Sequence, residues 1–174
     1  MVLFGIPTML NKSFSLSLFI LLCTLANPFA AAKQFLPDAP KIDAKAWILV
    51  DADTGYVIAE QNADETLPPA SLAKMMTTYI ASKEISENRL KADDLVLISD
   101  NAWELGGAKT DGSTMFLSPR SKVPVIDLIR GVIIQSGNDA AISLAEHISG
   151  GETAFSDNMN FQAELMGMTN TYYM

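Results

Sequence analysis

ILVDADTGYVIAEQNADETLPPASLAKMMTTYI, residues 48–80, changes its hydrophobic period part-way along, and that change sets the fold class. Together with Ala46-Trp47 in front, its first part holds two β-prone runs, Ala46–Val50 and Tyr56–Ala59, joined by Asp51-Ala52-Asp53-Thr54-Gly55. The joint has the Asp and Gly that a tight turn requires, so a hairpin is expected. Asp51 and Asp53 are spaced for acid/base work, but turn carboxylates more commonly bond their own backbone, and the turn reading is preferred. After Pro68-Pro69-Ala70 the period lengthens. Leu72, Met75, Met76, Tyr79 and Ile80 fall at i, i+3, i+4, i+7 and i+8, one apolar stripe of an amphipathic helix beginning near Ser71.

Further along, residues 94–98 (DLVLI) predict a short strand and residues 103–114 (WELGGAKTDGST) a Gly-rich loop. A second helix is expected through Val125, Ile126, Leu128, Ile129, Val132 and Ile133, stopping at Gln135-Ser136-Gly137-Asn138. Ala140, Ala141, Leu144, Ala145 and Ile148 mark a third, closed by Gly150-Gly151, and a fourth is expected over 152–166. No internal repeat or low-complexity tract is visible. One hairpin and one short strand make a marginal sheet for this many helices to cover. The reading is therefore an α/β fold with its helical region present and much of an antiparallel sheet missing.

Composition excludes several functions. Of 174 residues, 49% are apolar and 18% charged, which is the balance of a packed globular domain. One His and one Cys cannot build the usual zinc sites or an intrachain disulfide, and neither a metal nor a cofactor is expected. A net charge of -8 is unsuited to neutralising phosphates, so nucleic acid is not an expected partner. Residues 1–32 carry a single charged side chain, Lys12, ahead of the apolar run Phe14–Leu25 and Ala30-Ala31-Ala32, and they are expected to be a secretory signal peptide. The run is short of the ~20 residues a transmembrane helix needs. Ile20-Leu21-Leu22 before Cys23 does not suit a lipoprotein anchor. Residues 33–44, with two prolines, are expected to be an extended lead-in, and 45–174 to be the domain proper. The chain is thus expected to be periplasmic or otherwise extracytoplasmic.

Ser71-Leu72-Ala73-Lys74 is the sole Ser-x-x-Lys. On a helix this spacing puts both side chains on one face, one turn apart, so that the Lys74 amine can reach the Ser71 hydroxyl. A serine hydroxyl is a poor nucleophile until a neighbour takes its proton, and a lysine can do so when burial or positive potential lowers its proton affinity. The start of the helix also offers N–H groups to a developing oxyanion. About one Ser-x-x-Lys is expected by chance in a chain of this length. A helix cap beside a solvated lysine is therefore the better explanation of the motif when it is taken alone.

A second element, Ser-x-Asn, occurs four times, at Ser86, Ser99, Ser136 and Ser156. The copy at 156 falls inside a helical pattern, and those at 86 and 99 lie in polar connections where capping and turn roles suffice. Ser136-Gly137-Asn138 sits between two strongly apolar helices, where polar side chains need partners, and it is the copy chosen here. The lone His147, the helix-face Glu146 and the first-turn acid Asp139 are given no catalytic role. Trp47, Trp103 and the methionines fit a core or a cleft wall.

Residues 48–80, followed by the Ser136 element within DLIRGVIIQSGNDAAISLAE (127–146), resemble the low-molecular-mass penicillin-binding proteins, the D-alanyl-D-alanine carboxypeptidases of peptidoglycan. Gly112–Leu117 and Leu165–Thr171 extend the resemblance over roughly residues 36–172. It implies the serine β-lactamase/penicillin-binding transpeptidase-like fold. It further implies that Ser71 attacks the penultimate D-Ala carbonyl of a peptidoglycan pentapeptide, with Lys74 as its base. Ser136 relays the proton toward the leaving amine, and Asn138 bonds the substrate's peptide amide. β-Lactam antibiotics are the implied covalent inhibitors. Peripheral inner-membrane association through a C-terminal region outside this chain is a further implication. A serine β-lactamase and a non-catalytic fragment binding β-lactams or muropeptides are the alternatives; Gly137, in place of the Asp usual in β-lactamases, leans against the first.

Two departures stand out. The family's Lys-Thr-Gly strand, which follows Ser-x-Asn, is absent: the sequence ends 36 residues after Asn138. Lys109-Thr110-Asp111 has the wrong third residue and precedes Ser136, and it is read as a loop at the cleft rim. Loss of one oxyanion donor typically costs about 10²–10³ in rate, so little or no carboxypeptidase activity is expected of these 174 residues alone. Ser118-Pro119-Arg120-Ser121 also replaces the family's Pro-Gly-Asp turn.

Overall fold

The computed structural model describes residues 38–107 and 109–174. The expected signal peptide and residues 33–37 of the lead-in lie outside them. The described residues divide into two compact units, which part between Glu65 and Thr66.

In the first unit, β1 (Trp47–Val50) pairs antiparallel with β2 (Val57–Gln61), as the β-prone runs and turn residues predict. The pairing carries a bulge: Leu49 faces Ala59 while Val50 faces Val57, leaving Ile58 as the extra residue. Asp51 is a turn residue, its carboxylate accepting from the Thr54 N–H at 2.9 Å and the Thr54 hydroxyl at 2.5 Å. Those bonds hold its carboxyl below the ordinary aspartate range. Gly55 takes the left-handed conformation, φ 72°, that closes the turn.

The second unit is mainly helical. After a 3₁₀ turn at Ala70–Leu72 come α1 (Ala73–Ser86), β3 (Leu95–Leu97), α2 (Asp100–Gly106), β4 (Lys122–Pro124), α3 (Val125–Gln135), α4 (Asn138–Ser149) and α5 (Glu152–Leu165). β3 and β4 form a second two-stranded antiparallel sheet, Val96 opposite Val123. The main core gathers Val96, Ile98, Val125, Leu128, Val132, Ala140 and Leu144. Val125, Leu128, Ile129 and Val132 are the buried stripe expected of α3. A second cluster joins Met76 and Ile80 of α1 to Ala145, Phe155 and Met159. α5 ends where Gly167 turns left-handed at φ 73°, and Met168 N–H donates to the Ala163 carbonyl at 2.9 Å.

Three readings need correction. The stripe assigned to α1 is only half buried: Met76 and Ile80 are in the core with Thr77 and Ala81, while Leu72 and Met75 are 68% and 69% exposed. Apolar residues flank both sides of this helix, so spacing alone cannot select the inward one. The expected loop 103–114 begins as helix, because Ser99 caps α2 by accepting from Ala102 N–H at 2.8 Å, and the helix runs to Gly106. β4 was not anticipated; three residues ending in proline carry too little alternation to be seen.

Candidate active site

Three chain segments converge on one amine. Ser71 lies in the 3₁₀ turn that leads into α1, held by Leu72 N–H donating to the Pro69 carbonyl at 3.0 Å. Ala70, the residue before it, sits at φ 48°, a left-handed conformation that costs a non-glycine residue about 1–2 kcal/mol. One turn on, Lys74 Nζ lies 3.5 Å from Ser71 Oγ, 3.2 Å from Ser136 Oγ and 2.5 Å from Asn138 Oδ1. Ser71 is exposed, and the other three are half-buried. The four sequence candidates are thus gathered at hydrogen-bond range, in or beside a cleft of about 240 Å³ that is also walled by Met75, Thr78, Val132 and Ile133.

The Ser136 corner has a physical origin. α3 stops because Ser136 turns left-handed at φ 53°, after which Gly137 N–H donates to the Gly131 carbonyl at 3.1 Å. Gly137 then passes so close to its surroundings that a Cβ there would lie 3.0 Å from Asp139 Oδ1 and 3.1 Å from Met115 N. A side chain between Ser136 and Asn138 would therefore have to displace its neighbours by a few tenths of an ångström. Asn138 opens α4, and its N–H donates to the Ser113 carbonyl at 2.8 Å. The loop crosses the site at Gly112, where a Cβ would collide with the Asn138 side-chain amide. Lys109 lies 4.2 Å over the Trp103 ring and is paired with Glu104, so its charge is engaged within this segment. The other Ser-x-Asn copies lie elsewhere: Ser99 caps α2 while Asn101 Nδ2 donates to Glu146 and Glu152, Ser86 donates to the Lys83 carbonyl at the end of α1, and Ser156 lies inside α5.

Burial lowers the proton affinity of Lys74 below that of an ordinary lysine, and the negative charge of Asp139 works against that shift. As an ammonium, Lys74 has a donor for each of its three oxygen partners. As a free amine it keeps two donors, for Asn138 and Ser136, and has a lone pair left for the Ser71 proton.

Asp139 is the residue whose importance sequence reasoning missed. Placed in the first turn of α4, it is 0% exposed. Oδ1 accepts from Met115 N–H at 2.8 Å and Ala140 N–H at 2.9 Å, while Oδ2 accepts from Thr114 Oγ1 at 2.8 Å and Leu117 N–H at 2.9 Å. Its sequence position next to Asn138 was the available signal. Among the described residues, no group of three or more His, Cys, Asp or Glu side chains gathers as a metal site.

This is the fold of the penicillin-binding proteins and serine β-lactamases. Penicillin binding protein 5 of Haemophilus influenzae superposes with a TM-score of 0.74 at 38% identity, over 80% of this chain and 40% of that one. A D-alanyl-D-alanine carboxypeptidase, DacD from Francisella tularensis, gives 0.71 at 43% identity, over 79% and 32%. The family model for D-alanyl-D-alanine carboxypeptidase matches residues 33–174, and the chain belongs to that family. The carboxypeptidase DacC of Escherichia coli (strain K12) is 46% identical over 150 residues, 86% of this chain and 38% of the relative. DacA of the same strain is 44% identical over 142 residues, 81% and 35%. The chain therefore spans little more than a third of the length of these relatives.

Proposed function

We propose that this chain carries the acylating half of a serine D-alanyl-D-alanine carboxypeptidase site, with Ser71 as nucleophile and Lys74 as its general base. The observation that carries this reading is the placement of Lys74 Nζ within reach of both Ser71 Oγ and Ser136 Oγ in one cleft. Ser71 Oγ attacks the penultimate D-Ala carbonyl of a peptidoglycan stem peptide while its proton passes to the Lys74 amine. Ser136 passes its proton to the departing amine and is reprotonated by the Lys74 ammonium, the terminal D-Ala leaves, and water hydrolyses the Ser71 ester. Asn138 holds the substrate's peptide amide; with Oδ1 on Lys74, the group it offers is the Nδ2 N–H, donating to the amide carbonyl. A β-lactam carbonyl is open to the same attack, which makes these antibiotics covalent inhibitors.

The sequence 1–32 supports export to the periplasm, with 33–44 as lead-in and 45–174 as an incomplete catalytic domain. Among the described residues no helix is long and apolar enough to cross a membrane. With no Lys-Thr-Gly among its 174 residues, D-Ala release is expected to fall by about 10²–10³, the scale of a lost oxyanion donor.

Labelling with fluorescent penicillin, alongside D-Ala release from a peptide ending in D-Ala-D-Ala, tests the reading. A stable adduct that is lost in Ser71→Ala and in Lys74→Ala is the expected result. Rapid turnover of the label identifies a β-lactamase instead. No adduct identifies a non-catalytic fragment, and an unchanged adduct in Lys74→Ala removes that residue as base.

A further inference from the structure

The residue the proposed chemistry leaves unused is also the most completely buried charged group near the site. Asp139 follows Asn138 directly, and its four hydrogen bonds run to two places: the first turn of α4, through Ala140, and the segment Thr114–Leu117, through Thr114, Met115 and Leu117. The same segment is tied to the site from the other side, since the Ser113 carbonyl accepts from Asn138 N–H at 2.8 Å. α2 presses on this junction as well. A Cβ on Gly106 would collide with the backbone of Asn138 and Asp139. A buried carboxylate is tolerated only when it is this fully bonded, and removing one partner leaves an uncompensated group.

We infer that Asp139 is a positioning residue of the Ser71–Lys74–Ser136–Asn138 cluster: its buried carboxylate, next in sequence to Asn138, locks the 114–117 segment to the start of α4. The inference rests on the acylating role proposed above for that cluster. The groups that meet the Lys74 amine are Ser71 from the turn before α1, Ser136 from the end of α3 and Asn138 from α4, all uncharged. From α4, the negative charge of Asp139 acts on Lys74 and favours the ammonium. In its absence burial acts unopposed, and Lys74 gives up its proton at lower pH.

The decisive measurement is an NMR titration of the 174-residue chain labelled with ¹³C-lysine, the Lys74 signal being assigned by its loss in Lys74→Met. In Asp139→Asn the Lys74 midpoint is expected to move to lower pH. A merely structural role loosens the site, wets Lys74 and moves the midpoint upward or not at all, and either result overturns the inference. Should Asp139→Asn fail to fold, Thr114→Val keeps the charge and removes one bond of the lock. It is expected to slow penicillin labelling of Ser71 by about tenfold, the scale of one hydrogen bond, with the Lys74 midpoint unchanged. Labelling at the native rate overturns the inference. An unlabelled native protein counts against the acylation reading alone, because the titration does not depend on it.

Discussion

Lys74 is held between two opposing influences, burial that expels its proton and the Asp139 charge that retains it, with burial the larger. The consequence for stability has a definite sign. Between the folded-state midpoint and the ordinary lysine value, the unfolded chain binds a proton that the folded chain has released, so stability rises with pH across that window. Below the window the buried ammonium is a standing cost. Lys74→Met removes it, so the gain in urea stability of this variant over the native protein is expected to be largest at low pH and to shrink as pH rises through the window. A gap that is constant with pH contradicts the assignment. At this scale Ser71, Lys74, Ser136 and Asn138 stand out in the sequence through helix-boundary context and the family resemblance, since spacing alone selects neither the Ser-x-x-Lys nor one of the four Ser-x-Asn copies. Asp139 escaped because its partners Thr114, Met115 and Leu117 are more than twenty positions away, a separation no local pattern encodes.

Among the elements, α3 and α4 were legible because apolar residues recur along one face of each and a polar Ser-Gly-Asn corner separates them. α2 was hidden by its own composition. Gly106 and Gly107 read as loop, yet Gly106 ends a helix and lets it approach α4 at backbone distance. Gly106→Ala is therefore expected to cost about 3 kcal/mol, the upper part of the overpacking range, and to displace Asn138 from Lys74. Chemical denaturation together with penicillin labelling checks this, and a neutral substitution contradicts the close packing. Arg120, which occupies the expected family turn, adopts φ 63° and pairs with Asp100 at 3.1 Å. The turn thus keeps a left-handed residue without the glycine usual there.

Across the molecule, the expectation of a helical region with a sparse sheet agrees with the two small antiparallel sheets observed among the described residues. The hairpin of the first unit shows the consequence: Ile48 is 53% and Ile58 48% exposed, an apolar edge-rich ribbon of the kind that associates. Ile48 faces Glu60 across the strands. Ile48→Lys sets opposite charges side by side and is expected to raise the soluble fraction while changing stability by less than about 0.5 kcal/mol. Solubility and thermal melting check both parts. What lies on the open faces of α1 and of the hairpin could not be read from sequence, because burial is decided by packing partners and not by period.

Intact-mass measurement of the chain after exposure to a β-lactam, with peptide mapping of the modified residue, tests the central claim most directly. The account predicts one covalent adduct, located on Ser71, formed by the native chain and absent from Lys74→Ala under identical conditions. An adduct on another residue, or equal adduct formation without Lys74, contradicts it.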